Sequence, residues 1–299
     1  MKNIEQALKQ FQTQHQLPDG YLTSAQNHYT PLINTLLQQQ AHSQQTLTLG
    51  INGSQGSGKT TMAAYLHTVL THQHKLKVVS LSIDDFYLSK SARLHLAETV
   101  HPLLATRGVP GTHDIALALI TLAALKKPGR VAIPRFNKAS DDCVAREQWA
   151  SINAPVDIII LEGWCLGASP QSDGELSPAI NSLEAEHDSD GSWRHYVNQQ
   201  LAQHYQTLNA QIDTWAMLKA PSFDCIYQWR LEQEHKLASS IKAGQGSEQG
   251  ASGVMSDEAV NEFVMCFQRI TEHLLITLPK KVDFLFRLDN NRSIANKTR

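Results

Sequence analysis

Apolar positions in this chain follow two alternating periods, and the alternation predicts the architecture. Five short runs, at 46–52, 77–83, 156–161, 212–218 and 283–288, are rich in aliphatic and β-branched residues and read as strands. Helical periodicity fills the stretches between them. Met62, Tyr65, Leu66 and Val69 share one face of a helix over 61–70, and Ile115 to Leu125 reads as a buried helix. Ser256 caps a further helix with Asp257 and Glu258 in its first turn. Its apolar face carries Val260, Phe263, Val264, Phe267, Ile270, Leu274 and Leu278. This alternation predicts an α/β fold, a parallel sheet of about five core strands with helices on both faces.

Four stretches depart from the alternation. Residues 1–45 are rich in glutamine, but Ile4, Leu8, Phe11, Tyr21, Leu32 and Leu36 predict a helical segment packed on the core. Arg130-Val131-Ala132-Ile133-Pro134 is expected at the sheet margin, because its proline has no N–H for a ladder. Residues 166–192 mix Gly, Ser, Pro and acidic residues and are expected to form a surface excursion. Gly244, Gly246, Gly250 and Gly253 predict a loop between two helices, either a mobile lid or a plain linker.

Chemistry enters at the end of the first run. Gly53-Ser54-Gln55-Gly56-Ser57-Gly58-Lys59-Thr60 has the G-x-x-x-x-G-K-[ST] spacing of a Walker A loop. Its glycines let successive backbone N–H groups converge on phosphate oxygens. Lys59 is placed for the β- and γ-phosphates and Thr60 for Mg²⁺, while Thr61 opens a helix whose N-terminus favours an anion. A strand before the loop and a helix after it are the setting the motif requires, so the chain is expected to bind a nucleoside triphosphate with Mg²⁺.

Acidic residues follow two of the other runs. Ligands of open parallel sheets bind beyond the carboxyl ends of the strands, where Asp84 and Asp85 of Ser82-Ile83-Asp84-Asp85-Phe86-Tyr87 fall. A carboxylate there takes a proton from a substrate hydroxyl or holds Mg²⁺ through water, unless it only caps the next turn. The run 156–161 leads into Glu162-Gly163-Trp164, a Walker B arrangement that sets a carboxylate near the metal.

Several cations are candidates for anionic groups. In Arg107-Gly108-Val109-Pro110-Gly111-Thr112-His113-Asp114, helix capping accounts for Asp114 but leaves Arg107 and His113 for an anionic substrate group. Arg135 and Lys138 are either further anion contacts or solvated surface charges. Arg230, Lys236 and Lys242 precede the glycine-rich stretch. Arg230, beside Tyr227 and Trp229, is the first choice to stabilise a transferring phosphoryl group.

Composition narrows the partners. A net charge of −2 over 299 residues gives no footprint for nucleic acid or anionic membranes. The four cysteines, Cys143, Cys165, Cys225 and Cys266, form no C-x-x-C pair and suit a reducing cytoplasm. No apolar leader is visible, and the longest apolar run is too short to span a bilayer. Oligomeric state is not legible. A GTP-driven switch is disfavoured, since neither Asn137-Lys138-Ala139-Ser140 nor Asn296-Lys297-Thr298-Arg299 completes an Asn-Lys-x-Asp segment. A hydrolytic ATPase would be expected to end its Walker B strand in Asp-Glu, which is absent here.

Asp84-Asp85-Phe86-Tyr87 resembles the D-x-F-[YLH] segment of small-molecule P-loop kinases such as uridine kinase, phosphoribulokinase and bacterial pantothenate kinase. Glu162-Gly163 resembles their strand-terminal Glu-Gly. A closer resemblance is to the plant-type D-glycerate 3-kinase family and its bacterial and fungal kinase-like relatives. It is carried by Ser82 to Leu88, Arg107 to Asp114, Pro134 to Asp142, Glu162 to Gly167, Trp193 to Asn198, Trp229 to Glu232 and Met255 to Glu258. The resemblance implies an ATP-dependent kinase with Asp84 as base on the acceptor hydroxyl and D-glycerate as best acceptor; a pantothenate- or nucleoside-like acceptor is the alternative. Asp85, Tyr87, Arg107, His113, Arg135 and Lys138 are then the acceptor-side residues. Asn137 stands where the family usually has Asp, and Cys143 where it has Arg; Arg146 offers a substitute cation. The expected organisation is a helical segment, 1–45, and a kinase domain, 46–299, with an insertion at 166–209 and a lid at 230–256.

Overall fold

Each of the five apolar runs forms a strand of one sheet. The computed structural model describes residues 2–242 and 255–295. Its strands are β1 (Leu47–Gly53), β2 (Val78–Ser82), β3 (Gly129–Ala132), β4 (Phe136–Asn137), β5 (Asp142–Cys143), β6 (Ser151–Ala154), β7 (Ile158–Gly163), β8 (Thr214–Lys219) and β9 (Phe284–Arg287). The main sheet is parallel throughout, in the order β2-β7-β1-β8-β9. The chain leaves β1 toward one edge and later returns to its other side, so the carboxyl end of β1 is the reversal point where such sheets bind ligands.

Both faces are covered, as a parallel sheet requires. Ile158 and Ile160 of β7 point into one core with Leu49, Ile51 and helix Lys59–His72, whereas Ile159 and Leu161 point into the other with Leu122, Phe267 and Ile270. The N-terminal helices, Lys2–Gln14 and Tyr21–Ser43, pack on the first of these cores. Phe11 meets Tyr65 edge-on at 6.0 Å, and Tyr29 meets Phe286 at 5.1 Å.

Register is fixed at the amino edge by a repeated device. Asp157, Asp213 and Asp283 each directly precede a strand, and each carboxylate accepts a backbone N–H at the start of the adjacent strand. The amides are those of Lys77, Thr48 and Trp215, each 2.7 Å away. Such charge-assisted bonds are short and strong.

One expectation is corrected, and a second gains detail. The run at 130–134 is not at the sheet margin: β3 pairs antiparallel with β6 in a separate ribbon. Val131 and Ile133 are buried against helix Ile115–Leu125, and that apolar contact, not the sheet edge, sets their place. Residues 166–192 are mostly exposed, but the buried side chains of Leu166, Ala168, Leu176 and Leu183 tie the segment to the core. Two buried arginines hold the segment. Arg269 meets Glu184 with a bidentate fork at 2.7 and 2.6 Å and gives two further N–H groups to the carbonyls of Glu175 and Pro178. Arg194 bonds the Asp188 carboxylate at 2.8 Å and the carbonyls of Leu176, Ser177 and Asp188.

The glycine-rich stretch at 243–253 lies outside the described residues. No helix among the described residues is long and apolar enough to cross a membrane.

Removing one partner of a buried, fully bonded pair leaves the other charge stranded. Arg269→Met is therefore expected to lower stability by about 3–5 kcal/mol in urea unfolding. A loss below about 1 kcal/mol, the range of exposed pairs, would deny the pair its anchoring role.

Candidate active site

The phosphate loop begins where β1, buried along its whole length, runs out of sheet. Gly56 and Gly58 take the left-handed φ values of +75° and +89°, and a Cβ on Gly56 would come within 2.9 Å of Trp229. The dihedral favours glycine at both positions, and space requires it at Gly56. Gly58 caps helix Lys59–His72 without a side-chain bond, which leaves first-turn N–H groups directed outward for an anion. Asn52 ties the loop's base to the segment after β7, donating to the carbonyls of Trp164 at 2.9 Å and Leu166 at 2.8 Å. Gly53, Ser54 and Ser57 are buried members of the loop that do not line the cavity described below. The hydroxyls of Ser54 and Ser57 are buried and make no hydrogen bond among the described residues.

Parallel register brings the two acids to the same level. Glu162 pairs with Ile51 on one side and Ser82 on the other, so it stands between the phosphate loop and the turn Ile83–Phe86. Its Oε1 accepts the Thr60 hydroxyl at 2.8 Å, while Oε2 is buried without a hydrogen bond. Burial pushes the Glu162 carboxyl up, and Lys59 opposes the shift. A hydroxyl and a carboxylate side by side with a free hard-oxygen lone pair fit Mg²⁺.

Asp84 and Asp85 have separate tasks. Asp85 accepts the Ser82 amide at 3.1 Å, completing a capping box, and pairs with Arg135 at 2.7 Å. Burial pushes its carboxyl up against the pull of Arg135. Asp84 faces the cavity: Oδ1 accepts the Tyr87 hydroxyl at 2.8 Å and Oδ2 accepts Lys138 Nζ at 2.6 Å. Burial would raise this carboxyl, but Lys138, Lys59 and the two hydrogen bonds outweigh it and hold it at about 2.

A cavity of about 360 Å³ spans the space between loop and acid. Among the sequence candidates, Gln55, Gly56, Gly58, Lys59, Thr60, Thr61, Asp84, Tyr87, Arg107, Lys138 and Arg230 line it. Among the described residues, Lys59, Arg107, Lys138 and Arg230 line the cavity with one carboxylate, that of Asp84, a balance suited to polyanionic ligands.

Arg107 forms an ion pair with Asp141 and lies 5.6 Å over the Phe136 ring. The fully buried Arg93 holds Asp141 from behind at 2.9 Å. Arg230 pairs with the buried Glu234 at 2.6 Å and stacks 5.7 Å over Phe263. That partner differs from the expected Tyr227 and Trp229, because Trp229 is buried under the loop with its N–H on the Asn290 carbonyl.

Four acceptor-side candidates stand off the cavity wall. Asp85 and Arg135 pair with each other, as described. His113 is buried behind Tyr87, stacked on it at 4.6 Å, with Nδ1 2.6 Å from the Tyr205 hydroxyl. Burial lowers its pKa to about 4, so the ring is neutral near pH 7 and brings no cation. Arg146 stacks over Trp149 and is exposed, away from the cavity. Asn137 accepts the Ala139 amide within a turn, and Cys143 Sγ lies 3.3 Å from the Tyr87 carbonyl.

Sequence reasoning missed Trp164, Gln233, Phe263 and Phe267 on the wall. Phe263 and Phe267 read as core positions of an amphipathic helix; the signal that could have marked them is Gly108. It has φ +130°, and a Cβ there would meet the Phe267 ring at 2.5 Å. The Trp164 indole N–H bonds the Gly108 carbonyl at 2.9 Å and its ring meets Phe267 edge-on, so turn, strand end and helix close on one another.

Known proteins with this arrangement are kinases. The model of the phosphoribulokinase / uridine kinase family matches residues 48–168. The uncharacterised kinase mug58 of Schizosaccharomyces pombe is 36% identical over 243 residues, covering 78% of this chain and 83% of that protein. The chloroplastic D-glycerate 3-kinase of Arabidopsis thaliana is 32% identical over 228 residues, covering 73% of this chain and 45% of that one. Among solved structures, D-glycerate 3-kinase from Cryptococcus neoformans superposes with a TM-score of 0.68 at 24% identity, over 89% of this chain and 97% of that one, which is a likeness of fold. The chain belongs to the phosphoribulokinase/uridine kinase family of ATP-dependent P-loop kinases, in the branch that holds D-glycerate 3-kinase and its fungal kinase relatives.

Proposed function

We propose that this kinase transfers the γ-phosphoryl group of ATP to a hydroxyl of a small carboxylated metabolite, with D-glycerate as the first candidate. The observation that carries the reading is the bond between Asp84 and Lys138 opposite the phosphate loop. A base, a cation for a carboxylate and a phosphate cradle share one cavity. The name of the Arabidopsis relative supports glycerate; a pantothenate- or nucleoside-like acceptor is the alternative. The free thiols of Cys143, Cys165, Cys225 and Cys266 suit a reducing cytoplasm.

Lys59 and the loop amides hold the phosphates, and Arg230 offsets charge that develops on the transferring group. Thr60 and Glu162 would hold Mg²⁺, which when bound neutralises the phosphate oxygens. Asp84 begins as a weak base, bound by Lys138 and Tyr87. Lys138 is 62% exposed on a flexible stem, so an acceptor carboxylate can draw it away. The freed Oδ2 then takes the proton of the acceptor hydroxyl. The deprotonated acceptor oxygen bonds to the γ-phosphorus as the bond to the β–γ bridging oxygen breaks, and ADP departs with the electron pair. Asp85, Arg135 and His113 act as positioning residues behind the turn and Tyr87.

Asp84→Asn is expected to lower kcat by at least about 100-fold, with ATP binding by calorimetry unchanged. Turnover near the wild-type value would remove Asp84 as base. Glu162→Gln is expected to weaken Mn²⁺ binding, read by electron paramagnetic resonance, by about tenfold; unaltered binding would sink the metal assignment. Activity requires ionised Asp84, so it is lost as pH falls through its pKa. Because Lys138 holds that value down, Lys138→Met should move the acid limb of kcat/KM to higher pH and raise KM for the acceptor. An unmoved limb would show that Lys138 does not tune the base. A screen of hydroxy acids, pantothenate and nucleosides tests acceptor choice; stimulation by nucleosides alone would reject a carboxylated acceptor.

A further inference from the structure

We infer that Asp141, anchored on the buried Arg93, is a positioning residue that holds Arg107 in the acceptor half of the cavity and sets its spacing from Lys138. The inference rests on the function proposed above, in which the cations beside Asp84 meet an anionic acceptor. Arg93 is 1% exposed, and its guanidinium donates to the carbonyls of Leu88 at 3.3 Å, Ala105 at 2.7 Å and Asp141 at 2.7 Å. Each of these residues stands within three positions of a side chain on the cavity wall, namely Tyr87, Arg107 and Lys138. One planar fork thus joins three separate segments of the acceptor half. An apolar side chain of similar volume would fill the same space without burying a charge, so packing alone does not account for an arginine there.

Asp141 extends that fork to Arg107. Its Oδ2 pairs with Arg93 at 2.9 Å and its Oδ1 with Arg107. Burial would raise this carboxyl, but the hydrogen bonds and charges of the two arginines outweigh it and keep it ionised. Both guanidinium groups also lie over the Phe136 ring, at 5.9 and 5.6 Å. Without the carboxylate between them, two cations at one ring repel each other. Arg93 is held by its carbonyls, whereas the Arg107 side chain is 29% exposed and can swing into water. Arg107 is therefore the one that moves.

The same residue closes the hairpin that carries Lys138. Residues 138–141 join β4 to β5, and Asp141 ends them in the left-handed region at φ +54°. The neighbouring Asp142 carboxylate accepts the Lys90 amide at 3.0 Å, which fixes the hairpin to the first turn of helix Lys90–Thr99, the helix that bears Arg93. Lys138 leaves one end of this loop for Asp84, and Arg107 is tied to the other end. The separation of the two cations is thereby set by one short loop.

Asp141→Gly tests the link, because glycine keeps the left-handed turn while the carboxylate is lost. With D-glycerate as acceptor, KM is expected to rise about tenfold while calorimetry shows unchanged ATP affinity. An unchanged acceptor KM would overturn the inference. So would equal losses for acceptor and ATP, which a merely structural defect produces. A double-mutant cycle fixes the route: Arg107→Met is expected to raise the same KM, and Asp141→Gly added to it to raise KM no further. Losses that add would overturn the inference. Arg107→Met with the KM of the unaltered protein would instead strike the reading of the acceptor half on which it rests. Exchange of the Arg107 guanidinium protons with water, followed by heteronuclear NMR, needs no acceptor and decides in either case. It is expected to quicken in Asp141→Gly, and an unchanged rate would overturn the inference.

Discussion

Parallel register is the constraint on which the site depends, and three carboxylates at the edge far from the site impose it. Asp157, Asp213 and Asp283 each clamp the first amides of a neighbouring strand. A slip of one residue would turn every side chain of a strand to the wrong face. In β7 it would exchange Glu162 with Leu161 or Gly163 and remove the carboxylate from Thr60. The placement of Glu162 beside the loop, and of Asp84 one turn beyond Ser82, therefore begins at the opposite end of the sheet.

The site in turn gathers its cations on one side of the loop, where phosphates and the acceptor meet. The loop itself contributes backbone amides, whose direction the glycines permit. Its setting is held by Asn52 below and Trp229 beside it, two contacts that no Walker pattern contains. The aromatic wall is carried by helix Asp257–Thr277, which is also the helix whose Arg269 anchors the segment at 175–188. Stability of the insertion and shape of the cavity thus share an element.

The sheet was legible because burial on both faces leaves an unbroken apolar record in each strand. The phosphate loop, Asp84 and Glu162 were legible because their chemistry needs fixed residues at strand ends. What failed depended on distant partners. Arg269 and Glu184 are 85 positions apart and look like surface charges when read singly. Val131 and Ile133 carry a strand pattern that does not say which partner they take, and they pair with the ribbon at 151–154. Arg230 was given the aromatic neighbours adjacent in sequence, whereas its contact is Phe263 on another helix. His113 has the composition of an anion contact but, buried behind Tyr87, lacks the charge.

The grip of Lys138 and Tyr87 on Asp84 also bears on the competing nucleophile. Water is small, abundant and able to reach a γ-phosphate wherever an acceptor can. It carries no carboxylate, however, and so has nothing with which to draw Lys138 from Asp84. A water molecule in the acceptor's place would meet a carboxylate whose two oxygens are occupied and whose basicity is suppressed. Discrimination against futile ATP hydrolysis then requires no tight exclusion of solvent from an open cavity, because it resides in the state of the base.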